Sequence, residues 1–231
     1  MLKFILFVGR ILIDEKNFYS FIDSRLLYLL NQFGAKIDKR NYFAIKNDII
    51  KNRKLSNDRV EDLIIQISMV LMPAGYEKMI LRYILPSIEF AKKHFLYPCD
   101  DAMSTIETLA KNFRIGLICN HEWEYQRIFK RHGINKYINC CVLSYDGKHK
   151  SNTETYRKIL SMLGIKPSET LLVGDRLDKH VYLANTLGMI SIRVCNTMFK
   201  LQEPTTQNEI PNLSINRLYE LNVTDHDHRK F

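Results

Sequence analysis

The sequence predicts an α/β fold, a doubly wound parallel sheet with an all-helical domain inserted after its first strand. Beyond residue 92, short apolar segments alternate with helical segments of about 10–15 residues, which is typical of parallel strands joined by crossover helices. Residues 15–90 show helical periodicity and no strand signal. Residues 170–173 form an apolar run into Gly174 and Asp175, and an amphipathic segment ending at Gly188 follows, as in a strand–turn–helix unit.

Composition places the chain among globular proteins. Its 231 residues are 46% hydrophobic and 26% charged, which allows a sizeable core and excludes a disordered chain. The apolar start ends at Gly9 and Arg10, too soon for a secretory signal, and no apolar run approaches the roughly 20 residues of a membrane helix. We therefore predict a cytoplasmic protein with no membrane partner.

Charge and cysteine content predict no special ligand. The net charge of +9 invites a nucleic-acid hypothesis. However, Asp38 and Asp48 interrupt the densest basic segment, residues 36–54, and we predict a solvated helix face, with a nucleic-acid partner as the weaker alternative. The five cysteines are an odd number without metal-ligand spacing, so we expect buried, reduced thiols.

The first half of the chain reads as one strand followed by helices. Residues 4–8 form a short hydrophobic strand. A helix is predicted from residue 17 to Gly34, a second with the stripe Val60, Leu63, Ile64, Ile67, Val70 and Leu71, and a third over residues 77–95. Pro86 is expected to kink or split the third of these helices, because proline removes a backbone hydrogen bond.

In the second half of the chain, predicted strands alternate with predicted helices. Strands are predicted at residues 114–119, 140–144, 170–173 and 190–194, and helices at residues 100–112 and 122–132. A capping box at residues 151–154 predicts another helix, which ends at Gly164. After residue 197 the chain is expected to be irregular except for residues 214–221, and the Asp-His-Asp-His run at 225–228 is interpreted as a frayed terminus rather than a metal cluster.

Several of these segments together resemble the haloacid dehalogenase superfamily, specifically its phosphatase-like members with a helical cap. The segments are residues 96–102, 115–120, 129–134, the loop ending at Lys150, residues 171–175 and residues 184–189, in the family's order and spacing. The resemblance implies a Rossmann-like, three-layer core made of residues 1–14 and 92–231, and a helical cap made of residues 15–91.

The resemblance also implies phosphoryl transfer through an aspartyl-phosphate, with Mg²⁺ as cofactor. Lys150 matches the family's lysine and Asp175 its metal-binding acid, so both are candidate catalytic residues. Cys119 falls where Ser or Thr binds phosphate, with Asn120 beside it. The second metal-binding acid is displaced in this chain, and Asp178 is the available substitute.

The first motif departs from the family. Where the nucleophilic aspartate and the acid two residues later are expected, this chain has Val8 and Arg10 in an ungapped comparison. Neither residue can attack phosphorus or bind Mg²⁺. Arg10 instead joins Cys119, Asn120 and Lys150 as a candidate phosphate-binding group.

Two interpretations remain open. In the first, the chain is catalytically degenerate and acts as a binding or regulatory module for a small phosphorylated or anionic ligand, with a protein partner as an option and no cofactor required. In the second, it is an active metal-dependent phosphatase or hydrolase of a small phosphorylated metabolite, using Asp175 or Asp178 with Mg²⁺, or Cys119 as a thiolate. His121 and His180 follow strands near the same site, and we interpret them as surface polar residues rather than acid–base groups.

Overall fold

The computed structural model describes residues 2–120, 123–144 and 153–223. These divide into two compact units: unit 1 comprises the chain up to Ile13 and from Pro98 onward, and unit 2 is Asp14–Tyr97. Short strands lie where the chain passes between the units, β2 (Ile13–Asp14) and β3 (Tyr97–Pro98), and they form a two-stranded sheet.

Unit 1 is built on a six-stranded parallel sheet. Its remaining strands are β1 (Phe4–Val8), β4 (Arg114–Asn120), β5 (Ile138–Ser144), β6 (Thr170–Gly174), β7 (Ile190–Val194) and β8 (Leu213–Ile215), in the order β5-β4-β1-β6-β7-β8. All neighbouring strands are parallel. β1 therefore lies inside the sheet, between the half that contains β4 and β5 and the half that contains β6, β7 and β8. In such sheets, ligands bind at the carboxyl ends of the strands near this switch point.

The core of unit 1 explains why these segments form strands. All five residues of β1 and all five of β6 are buried, as expected for central strands of a parallel sheet covered on both faces. Phe4 and Leu6 of β1 pack in one cluster with Leu172, Leu160 and Leu183. Gly116 is needed beside them, because an added Cβ would lie 2.5 Å from the ring of Phe4.

Five α-helices lie in the part of unit 1 that the structure describes. They are α5 (Ala102–Leu109), α6 (Trp123–Arg131), α7 (Thr153–Leu163), α8 (Tyr182–Leu187) and α9 (Glu220–Val223). Gly164 and Gly188 follow α7 and α8 with φ of +64° and +76°, the left-handed conformation that ends helices at little cost only for glycine.

Unit 2 contains four helices, α1 (Lys16–Gln32), α2 (Lys39–Lys51), α3 (Val60–Leu71) and α4 (Tyr76–His94). A buried polar group joins the first two helices. Asp23 of α1 accepts a hydrogen bond of 2.8 Å from the Tyr42 hydroxyl of α2 and forms an ion pair with Lys46 of α2. Burial, followed by the charge and hydrogen bond of Asp23, raises the pKa of Tyr42 far above its usual value.

The predicted fold class is confirmed, since a six-stranded parallel sheet flanked by helices is present. The role of residues 15–91 as a cap stays a prediction. Some local predictions were wrong. Val70 is 55% exposed although the stripe predicted burial, and Lys46 is buried although its segment was expected to be solvated. Pro86 was expected to kink or split its helix, and α4 is not split there.

Among the described residues, no helix is long and apolar enough to cross a membrane.

Candidate functional site

The candidate site lies at the carboxyl ends of β1, β4 and β6. Val8, the last residue of β1, is opposite Ile118 of β4, and Phe7 is opposite Val173 of β6. The residues that follow these positions, Arg10 after β1 and Asp175 after β6, therefore meet at one edge of the sheet.

Arg10 and Asp175 form a buried ion pair. Arg10 Nε lies 3.6 Å from Asp175 Oδ2, and the side chains are 5% and 0% exposed. A buried carboxylate is costly unless an opposite charge lies beside it, and the guanidinium supplies that charge. Arg10, which the sequence comparison predicted at the place of the family's second acid, thus neutralises the acid that was predicted to bind the metal.

His180 contacts the other oxygen of Asp175. Its Nδ1 lies 3.1 Å from Asp175 Oδ1 and accepts hydrogen bonds from the backbone N–H groups of Asp175 and Arg176, at 3.3 and 3.2 Å. His180 is buried, and its interpretation as a surface residue was therefore wrong.

A π-helical turn and a glycine bring His180 to this position. The turn spans Leu177–Val181, and the N–H groups of His180 and Val181 both donate to the carbonyl of Arg176. A Cβ at Gly174 would lie 2.6 Å from Cβ of His180, so only glycine allows the turn to fold back over the end of β6. Single π-helical turns of this kind are frequent at functional sites.

The carboxylate of Asp178 is held by other side chains of the protein. Arg176, which is itself fully buried, donates from Nε to Asp178 Oδ1 at 3.0 Å and pairs through Nη2 with Oδ2, and Gln202 donates from Nε2 to Oδ1 at 3.0 Å. Burial alone would raise the pKa of Asp178. The hydrogen bonds and charge of Arg176, the hydrogen bond of Gln202 and the charge of Lys179 outweigh burial and hold that pKa below its usual range.

A segment after β7 completes this network. Phe199, in the 3₁₀ helix Met198–Leu201, lies under both guanidiniums, with its ring centroid 4.9 Å from Cζ of Arg10 and 4.8 Å from Cζ of Arg176. Such cation–π contacts each contribute about 0.5–2 kcal/mol. Arg193 of β7 fixes the segment by donating from Nη2 to the carbonyls of Phe199 and Gln202, both at 3.0 Å.

Cys119 lies on the β4 side of the site. It is fully buried, and a Cβ at Gly9 would meet its Sγ at 2.6 Å, so the turn after β1 passes directly over this thiol. A hydrogen bond with Cys119 outweighs burial and lowers the pKa of Cys141 on β5. Cys141 is exposed, so the expectation of a buried thiol was wrong at that position. Thiolate chemistry at Cys119 stays a prediction.

Some predicted site residues lie outside the described part of the chain. They are Lys150, His121 and the first two residues of the capping box at 151–154. The backbone of Asn120 ends β4, and its side chain is likewise outside what the structure describes. Their assigned roles stay predictions.

The residues described at the site do not fit a divalent metal. Asp175 faces Arg10 and His180, Asp178 is paired with Arg176 and Gln202, and the side chain of Val8 has no oxygen. Mg²⁺ needs several oxygen ligands. Within residues 2–120, 123–144 and 153–223, no group of three or more His, Cys, Asp or Glu side chains could hold a metal ion.

Sequence reasoning missed four of the residues in this network, Arg176, Arg193, Phe199 and Gln202. Arg176 carried a usable signal, because it follows Asp175 directly and is two residues from Asp178. Phe199 and Gln202 carried none, since only the fold brings the segment after β7 back to the turn after β6.

Residues 41–194 match the model of the haloacid dehalogenase-like hydrolase family. The chain belongs to this family. The resemblance read from the sequence is confirmed. The magnesium, the nucleophile and the substrate of the haloacid dehalogenase-like hydrolases do not follow from membership alone, because function resides in the site and not in the fold.

Two relatives are similar to this chain in sequence. One, from Methanopyrus kandleri, is 31% identical over 133 residues, which are 55% of this chain and 56% of the relative. The other, from Methanocaldococcus jannaschii, is 26% identical over 228 residues, 96% of each chain. Both are named glyceraldehyde 3-phosphate phosphatase. The chain thus spans little more than half the length of the first relative and nearly all of the second.

Solved structures show the same fold. A haloacid dehalogenase-type hydrolase, YfnB of Bacillus subtilis, superimposes with a TM-score of 0.65 at 18% identity, covering 96% of this chain and 98% of its own. In that crystal structure, YfnB is bound to magnesium.

Proposed function

We propose that this haloacid dehalogenase-like protein binds a small phosphorylated molecule without hydrolysing it through an aspartyl-phosphate. The observation that carries the proposal is the buried ion pair of Arg10 and Asp175. In the family chemistry, Asp175 is expected to hold a metal, and an acid is expected where Arg10 stands. Here these two side chains lie 3.6 Å apart as opposite charges.

The absence of a nucleophile at the first motif supports the loss of turnover. Val8 ends β1 with a hydrocarbon side chain and cannot form an ester with phosphorus. Removing a covalent nucleophile costs about 10⁴–10⁶ in rate in enzymes where it has been measured. The remaining groups can position a ligand and stabilise its charge, but they cannot replace this step.

The same site retains features for an anion. Lys179 adds a positive charge near Asp178, and the prediction for Lys150 adds another at the end of a loop. A phosphorylated small molecule is also the class of substrate that the relatives' names print. Three further features remain predictions: that helical residues 15–91 form a cap, that a protein partner exists, and that the protein is cytoplasmic.

A second candidate function is hydrolysis of a small phosphorylated substrate. The relatives' printed names favour it, and they favour activity more than its loss. This candidate requires a nucleophile other than residue 8, or a water activated without the usual aspartate.

One phosphorus NMR experiment separates the candidates. Glyceraldehyde 3-phosphate and p-nitrophenyl phosphate are mixed with the purified chain, with and without Mg²⁺, and each signal is followed over time. We expect the phosphomonoester signals to broaden on binding, with no more inorganic phosphate released than by an Asp175→Asn variant.

The other outcomes are decisive as well. Phosphate release by the wild type that the Asp175→Asn variant lacks would replace the proposal with the second candidate. No broadening and no release would contradict both candidates. A Val8→Asp, Arg10→Asp double variant restores the family's two acids, and turnover by this variant alone would show that the rest of the site is intact.

A further inference from the structure

The Arg10 guanidinium has the position and charge of a built-in cation. It contacts a fully buried carboxylate at 3.6 Å, and it is nearly as inaccessible to solvent as that carboxylate. A divalent ion bound to Asp175 would lie within a few ångströms of this guanidinium, in a region of low dielectric where like charges repel strongly. Arg10 and a metal ion are therefore mutually exclusive neighbours of Asp175.

The protein holds Arg10 in this position through a dedicated segment. The ring of Phe199 lies against Arg10 and also against Arg176, and Arg193 fixes the backbone of Phe199. The same segment supplies Gln202, which binds the backbone N–H of Leu177 at 3.0 Å and the carboxylate of Asp178. The segment thus positions Arg10 through Phe199. Through Gln202 it also engages the carboxylate of Asp178, the acid that could otherwise bind a metal.

We infer that Arg10, positioned by Phe199, takes the place of the family's divalent cation, so that this site excludes Mg²⁺ and Mn²⁺ and receives its anion without metal. The inference rests on the proposed function for the identity of its ligand, but the metal test below does not depend on that ligand.

Direct metal binding tests the inference. Mn²⁺ binding to the full chain is measured by electron paramagnetic resonance, and Mg²⁺ binding by calorimetry. We expect no Mn²⁺ binding by the wild type below millimolar concentration. The Arg10→Asp variant should bind Mn²⁺ at least about a hundredfold more tightly, because a repelling cation is replaced by a carboxylate ligand. An added Asp175→Asn change should abolish the gain.

Two matched variants separate the charge of Arg10 from the overall charge. Arg217→Asp makes the same change in net charge at an exposed position and should leave Mn²⁺ binding absent. Arg10→Lys keeps the cation but not the planar group that stacks on Phe199, and it should also exclude Mn²⁺. Phe199→Leu frees Arg10 from its stack, and its Mn²⁺ affinity should lie between those of the wild type and Arg10→Asp.

The result that overturns the inference is Mn²⁺ binding by the wild type that is lost in Asp175→Asn. This comparison remains valid even if Arg10→Asp fails to fold. A different result would contradict the proposed function. A wild type that binds neither Mn²⁺ nor a phosphomonoester contradicts the proposed function and leaves the metal exclusion intact.

Discussion

The carboxylate of Asp178 accepts a hydrogen bond of 3.0 Å from Nε2 of Gln202, a residue in the segment that follows β7. The same carboxylate is paired with the fully buried Arg176. Asp178 therefore works as a structural anchor that joins the π-helical turn to the segment carrying Phe199. An acid that sequence similarity offered for a metal is used to build the surroundings of Arg10.

The Asp178 pairing should make stability depend on pH. The pKa of Asp178 is lower in the folded chain than the value of about 3.9 expected when unfolded, so its contribution is complete above about pH 4 and is lost as the pH falls through the folded pKa. Asp178→Asn leaves Arg176 buried without its carboxylate and should cost about 3–5 kcal/mol at pH 7. Urea unfolding at a series of pH values should show the difference from wild type shrinking below pH 4.

Asp100→Asn, at an exposed acid of unit 1, is the control and should show little difference at any pH. A difference for Asp178→Asn that stays constant from pH 7 to pH 2 would refute the assignment.

The contact between Gly9 and Cys119 predicts a specific steric defect. Gly9→Ala places a Cβ 2.6 Å from the buried Sγ and should destabilise the chain by about 1–3 kcal/mol, as overpacking does elsewhere. Removing Sγ in a Gly9→Ala, Cys119→Ala double variant should recover part of this loss relative to Cys119→Ala alone. Thermal denaturation of the four proteins gives the answer, and equal losses with and without Sγ would place the strain elsewhere.

The Asp23–Lys46 pair should dominate the stability of the α1–α2 contact. Asp23→Leu leaves a buried ammonium without its carboxylate and should cost about 3–5 kcal/mol, whereas Asp23→Leu combined with Lys46→Met should be markedly less harmful. A double-mutant cycle in urea measures the coupling, which we expect to exceed about 1 kcal/mol. Additive losses would mean that the two charges do not interact.

Pro86 should be a site where the chain can be stabilised. It is exposed and lies inside the continuous helix α4, where it cannot donate a backbone hydrogen bond. Pro86→Ala should raise stability by up to about 3 kcal/mol. Glu89→Ala, at a nearby exposed position of the same helix, is the control and should change the melting temperature little. A lower melting temperature for Pro86→Ala would show that the proline is needed by its surroundings.

Sequence reasoning located most of the sheet because its central strands are buried on both faces and read as short apolar runs, as in β1 and β6. It did not identify β8, which has only three residues in a tail that otherwise lacks periodicity. Cys141 was placed correctly in a strand, but its exposure depends on β5 being an edge strand, and strand order is not encoded locally.

At the site, the register of adjacent strands explains what was predictable. Arg10 and Asp175 follow neighbouring strands, so their proximity follows from parallel pairing once the fold is known. The choice of Asp178 as a metal ligand rested on spacing from Asp175 alone. Spacing could not reveal that Arg176 and Gln202 occupy this carboxylate, because Gln202 arrives from a separate part of the fold.

The position of β1 in the sheet has a consequence for how the chain folds. Among the described strands of the sheet, β1 is synthesised first, yet its partners begin at Arg114 and Thr170, after the whole of unit 2 has been synthesised. Unit 2 makes its helix contacts within residues 14–97 and can fold early, whereas the sheet of unit 1 must wait for closure between more distant segments. Pulse-labelled hydrogen exchange during refolding should protect amides of α1–α4 before those of β1, and simultaneous protection would show that the two units fold as one.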